Sequence, residues 1–124
     1  RSNALVSIGQ ELSNGGVPDD EEELQELPYV GRYAANATLC FAFGEHRPIV
    51  DANVVRVYNR VFGKNFDYRD EAAWEFAEEV LPESYAWEFN LAIIDFAAEI
   101  CVPQNPNCDE CFFSTQCDYY QSLS

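Results

Sequence analysis

Residues 20–43, DEEELQELPYVGRYAANATLCFAF, hold two helical segments joined by five residues that suit a tight turn. Asp19 and Asp20 ahead of Glu21, Glu22 and Glu23 supply a cap and an acid-rich first turn, so a short helix carries Leu24 and Leu27 inward. Pro28 stops it. From Gly31 to Phe43 the run is rich in Ala, with Leu39, Phe41 and Phe43, and Gly44 stands where a C-terminal cap belongs. This predicts a small-residue helix built for close packing. The connection Leu27-Pro28-Tyr29-Val30-Gly31 exposes backbone N–H groups at the start of that helix. Such groups can hold a phosphate oxygen through hydrogen bonds and the helix dipole, with no lysine required. A plain αα-hairpin explains the pentapeptide equally well, and Arg32 would either reinforce such a contact or be solvated.

Outward from this hairpin the pattern stays helical. Leu5, Ile8 and Leu12 mark one face of an opening helix that Gly15, Gly16 and Pro18 end. Asp51 can cap a helix bearing Val54, Val55, Val57, Tyr58, Val61 and Phe62, which Gly63 closes. Asp70 likewise precedes Trp74, Phe76, Ala77 and Val80, with Pro82 beyond. A further helix over about 85–100 is expected to turn Trp87, Leu91, Ile94 and Phe96 to Ala98 inward. No segment shows strand alternation, so the expected fold is all-α.

The chain has 124 residues, 48% of them hydrophobic, which suits one compact domain. Its 22 acids against 7 bases give a formal net charge of -15, the reverse of what an unaided phosphate-backbone binder carries. Lys64 is the one lysine. Few lysines and many acids suit a protein hydrated in high intracellular salt, a halophilic source; an acidic piece cut from a more balanced parent is the plainer account. No apolar run approaches the roughly 20 residues of a bilayer span and no signal peptide opens the chain, so no membrane is expected and the protein reads as cytoplasmic. Four of five cysteines fall in the pattern C-x6-C-x2-C-x5-C: Cys101, Cys108, Cys111 and Cys117. An odd total and this clustering argue for a metal or cluster site in a reducing compartment rather than disulfides. Four thiolates on a loop stiffened by Pro103 and Pro106 suit tetrahedral zinc or a four-iron cluster alike. Cys40, inside Leu39-Cys40-Phe41, suits core packing, and His46 is given no role.

Taken together, Leu27-Pro28-x-Val30-Gly31-Arg32, then Val50-Asp51-Ala52-Asn53 with Arg56-Val57, then the four-cysteine loop resemble the helix-hairpin-helix DNA glycosylases of the endonuclease III type. The resemblance covers nearly the whole chain and implies its C-terminal portion of such an enzyme. Residues 1–63 would form part of the six-helix barrel, with the hairpin at about 20–43, and residues 64–124 the iron–sulfur domain. It implies a 4Fe-4S cluster on Cys101, Cys108, Cys111 and Cys117, with zinc as the alternative. It implies DNA contact through Leu27, Pro28, Tyr29, Val30, Gly31 and Arg32, although Tyr29 replaces the first glycine of the family's Leu-Pro-Gly-Val-Gly.

The resemblance makes Asp51 the catalytic aspartate; position alone makes it a helix cap. Tyr33 stands where bifunctional members carry a Schiff-base lysine, which implies a monofunctional enzyme and a pocket role for Tyr33. Tyr33 and the residues around Asp51, Phe89-Asn90 and Asp95-Phe96 look most like the archaeal thymine-specific mismatch glycosylases, with adenine glycosylases next. The implied partner is double-stranded DNA with a mismatch, the implied substrate thymine or uracil opposite guanine. The piece alone would be inactive, and an apolar face left open on the partial barrel would offer a route to a homo-oligomer. A DNA-binding remnant without a base pocket and an acidic zinc module are the readings from other classes.

Overall fold

The computed structural model describes residues 2–13 and 15–123. Among them there is no strand, and seven α-helices follow in order: α1 (Ser2–Leu12), α2 (Glu21–Gln25), α3 (Arg32–Phe41), α4 (Ala52–Phe62), α5 (Glu71–Val80), α6 (Ala86–Glu99) and α7 (Asp118–Ser122). The chain divides into two compact units, Arg1–Arg47 and Pro48–Ser124. The boundary expected after Gly63 lies inside the second of these.

In the first unit α2 and α3 form the hairpin anticipated from the sequence. Asp20 caps α2 through a hydrogen bond its carboxylate accepts from the Glu23 N–H at 3.1 Å. Leu24, Ala35 and Leu39 form a buried cluster against which Leu27 and Val30 pack, so the apolar residues on both sides of the turn clamp it. Ala35 permits the close approach of the two helices. Cys40 is fully buried on α3, as core packing required. Phe43 falls beyond the helix end and is exposed, because the chain reverses at Gly44, whose φ is +71°.

In the second unit α4 is the central element, packing against both α6 and α7. Its apolar residues recur at helical spacing, which buries Val54, Val55, Val57, Tyr58 and Val61 together. Gly63 ends it in the left-handed conformation, φ +67°, and a Cβ there would lie 2.9 Å from Asp118 Oδ2 at the start of α7. Gly63→Ala is therefore expected to lower unfolding stability by about 1 kcal/mol, read from chemical denaturation of the wild type and variant.

Two expectations are corrected here. Asp70 occupies the N-cap position of α5 without capping it; its Oδ2 instead accepts the Asp67 N–H at 2.8 Å, closing the preceding turn. On α6 the buried residues are Asn90, Ile93 and Ala97. Trp87 at 44% exposure and Leu91 at 41% lie outward, and Ala98 is exposed as well. The helix is apolar on nearly every side, so hydrophobicity alone could not choose its inner face.

Candidate functional residues: hairpin, carboxylate and cysteine loop

The hairpin turn is built by a backbone conformation that its sequence resists. Tyr29 has φ +64° and its side chain is 78% exposed. The first position of the turn does require the left-handed region, the conformation a glycine adopts most readily. The turn is closed by the Val30 N–H donating to the Leu27 carbonyl at 3.3 Å. Gly31 then caps α3 with extended φ and ψ and no side-chain bond, and the first helical bond runs from the Ala35 N–H to the Gly31 carbonyl at 3.0 Å. The N-terminal turn of a helix leaves N–H groups without helical acceptors, which is the geometry an anion uses. Gly31 itself is unstrained and a Cβ on it would meet nothing within 4 Å. The fold itself therefore does not require a glycine there.

Around this turn Arg47 holds the hairpin from behind. Its Nη1 donates to Glu21 Oε1 at 2.9 Å and to Asn36 Oδ1 at 3.5 Å, and its Nε to Glu45 Oε1 at 3.1 Å. Arg32 is not merely solvated, since its Nε lies 3.9 Å from Glu21 Oε2. Tyr33 is half-buried on the first turn of α3.

Asp51 opens α4 in the second unit. Its Oδ1 accepts the Val54 N–H at 2.9 Å, so the carboxylate caps the helix and is locked in orientation by doing so. Among the described residues Oδ2 accepts no hydrogen bond. The capping role and a chemical role are thus compatible: one oxygen fixes the group and the other is available.

Cys101, Cys108, Cys111 and Cys117 are free thiols that line one small cavity, with Arg60, Phe96 and Ile100 among its other walls. Among the described residues no three His, Cys, Asp or Glu side chains stand close enough to share one ion. The sulfurs still feel one another: burial, then the charges of Cys117, Cys101 and Cys111, push the Cys108 thiol up, and Arg60 opposes that. Phe112 and Phe113 stack at 4.3 Å between ring centroids and both meet Phe96 edge-on, which pins the loop to α6.

Sequence reasoning missed what holds this loop in place. Arg56 Nε donates to the Cys101 carbonyl at 2.9 Å and Nη2 to the Ala97 carbonyl at 2.8 Å, satisfying the C-terminal carbonyls of α6. Arg60 Nη1 donates to the Val102 carbonyl at 2.7 Å and Nη2 to the Pro103 carbonyl at 2.8 Å. Their spacing of four on α4 puts both on one face, which was readable; their partners more than 40 residues downstream were not.

The chain is 43% identical to a thymine/uracil-DNA glycosylase of Methanothermobacter thermautotrophicus, in a match that covers 100% of this chain and 59% of the relative. Among solved structures, a thermostable thymine-DNA glycosylase matches 98% of the chain with a TM-score of 0.89 and 39% identity. The chain belongs to the helix-hairpin-helix DNA glycosylase superfamily. A trapped endonuclease III–DNA covalent intermediate also matches, with a TM-score of 0.82 and 27% identity over 98% of the chain and 59% of the neighbour. The superfamily assignment rests on these whole-chain matches, since no family model matches. The chain thus spans about three-fifths of the length of the relatives it matches, falling on their C-terminal part. No helix among the described residues is long and apolar enough to cross a membrane.

Proposed function

We propose that the intact protein is a base-excision glycosylase that hydrolyses the N-glycosidic bond of thymine or uracil mispaired with guanine, using water as nucleophile. The observation that carries this reading is the 43% identity to a thymine/uracil-DNA glycosylase along the whole chain. Because the chain spans 59% of that relative, the activity is proposed for the whole protein. The base to be removed must leave the stack, which costs a few kcal/mol and least at a mispair. Bond breaking builds oxocarbenium character on the sugar, and the Asp51 carboxylate, anchored through Oδ1, is assigned to stabilise that charge or activate the attacking water. Tyr33 carries no amine, so no imine with the sugar can form there. It is assigned to the wall of the base pocket.

The hairpin, residues 27–32, is assigned to the DNA backbone. Gly31→Val is expected to fold as the wild type does, since the added carbons meet open space, yet to abolish duplex binding by keeping a phosphate from the N–H groups. Arg32→Ala should weaken binding only modestly, with a shallow salt dependence, because few cations contribute. Binding titrations at several salt concentrations check both; a steep slope removed by Arg32→Ala would overturn the backbone assignment.

Cys101, Cys108, Cys111 and Cys117 are assigned to a structural 4Fe-4S cluster. A zinc ion requires four sulfurs within about 2.3 Å of one centre, whereas a cluster is held by one cysteine at each iron. Four thiols lining one cavity can supply one ligand to each iron, and the likeness to endonuclease III favours the cluster over zinc. When bound, the cluster would tie the loop to α6 and α4. Free thiols suit a cell interior that keeps them reduced.

Adenine glycosylases are also among the relatives, one at 34% identity over 93% of the chain. A panel of duplexes carrying G·T, G·U and adenine opposite guanine or oxidised guanine decides the substrate. Release of thymine or uracil is the expected result, and preferential release of adenine would transfer the protein to that class.

A further inference from the structure

Residue 60 touches the first and the last cysteine of the loop at once. Arg60 Nη1 donates to Cys101 Sγ at 3.4 Å as well as to the Cys101 and Val102 carbonyls at 3.4 and 2.7 Å. The Arg60 backbone carbonyl accepts from Cys117 Sγ at 3.5 Å. The guanidinium stacks on the Tyr119 ring at 5.0 Å from its centroid, and Nη2 reaches Pro103. Loop start, loop end and the short terminal helix therefore meet at one residue of α4, the loop start and the terminal helix through its side chain and Cys117 through its backbone carbonyl.

We infer that the Arg60 side chain is the positioning group of the four-cysteine site: it holds Cys101 and the loop start directly and the Cys117 end through the Tyr119 ring before loading, and places a positive charge against the loaded thiolates. The inference rests on the assignment of these cysteines to a cluster. The fork matters because a planar group with several fixed donors can bind two successive carbonyls and a sulfur together, whereas an ammonium is a single point of charge. Charge matters because hydrogen bonds and net charge at the sulfurs set a cluster's reduction potential. Reduction adds negative charge, so a neighbouring cation favours it and removing the cation moves the potential to more negative values. Phe96, Ile100 and Pro106 of the cavity wall bring no charge; the other cation nearby, Arg56, donates to the Cys101 and Ala97 carbonyls, whereas Arg60 reaches the Cys101 sulfur.

The test loads the wild-type chain, Arg60→Met and Arg60→Lys anaerobically with iron and sulfide. It then follows cluster loss to a chelator, reduction potential and melting temperature. Arg60→Met keeps an apolar stem but neither charge nor donors. It is expected to lose the cluster roughly 10- to 100-fold faster, the range that removing an outer-shell partner produces, and to shift the potential negative. Arg60→Lys is expected to keep a potential near that of the wild type but to lose the cluster faster, since charge returns and the fork does not. Should Arg60→Met fail to fold, this split in Arg60→Lys carries the test. A lower melting temperature with potential and cluster loss unchanged would reduce Arg60 to ordinary packing and overturn the inference. A wild-type chain that takes up one zinc and no sulfide would overturn the cluster assignment itself, a distinguishable result.

Discussion

Asp51→Asn in the intact protein is expected to slow base release by about 100- to 10,000-fold while leaving fold and duplex affinity as they are. The substitution is informative because asparagine caps a helix about as well as aspartate. The bond from the Val54 N–H therefore persists, and what disappears is the negative charge proposed to act on the sugar. Asp51→Ala removes both, adding a stability loss of about 1 kcal/mol that Asn does not incur. Single-turnover release of the base, set beside a binding titration of the same variant, separates the two effects. Release within a few-fold of wild type in Asp51→Asn would leave this residue a helix cap and nothing more.

Cys108→Ser is expected to abolish cluster binding and to unfold the tail beyond about Pro103. That tail has little structure of its own: a three-residue turn at Cys108–Glu110 and the five-residue α7. Helices so short are not stable alone in water. Ligation of four thiols is therefore folding free energy for this segment. Amide exchange should show protection lost over 103–123 and retained in α4, whose residues Val54, Val55, Val57 and Tyr58 are buried and which also packs on α6. Protection across the tail equal to that of the wild type, in a variant without iron, would show that the aromatic contacts of Phe112 and Phe113 with Phe96 suffice.

What the sequence disclosed follows the range of the physics involved. Caps are local, so Asp20, Asp51 and Gly63 were readable from a few neighbours, and each performs the role its residue type suggests. The cysteine spacing is local too, and the four thiols do face one cavity. Asp70 misled because the same carboxylate could serve either the helix or the turn before it, and the turn won. On α6 the alternation between faces is too weak to orient the helix, and the polar Asn90, which was not among the residues expected inward, lies buried. Arg56 and Arg60 could not be assigned at all. Their acceptors are backbone carbonyls at positions 97 to 103, which carry no mark in the residue types. The strained Tyr29 is an intermediate case: it replaces the glycine of the family's turn, and the chain adopts φ +64° there despite the side chain.

The most direct test of the account as a whole follows the DNA strand after base loss. The intact protein is incubated with a G·T or G·U duplex, and the strand is examined before and after alkali. Free thymine or uracil and an abasic strand that stays whole until alkali is added are expected, since Tyr33 offers no amine to attack the sugar. A protein–DNA adduct trapped by borohydride, with strand cleavage before alkali, would contradict it.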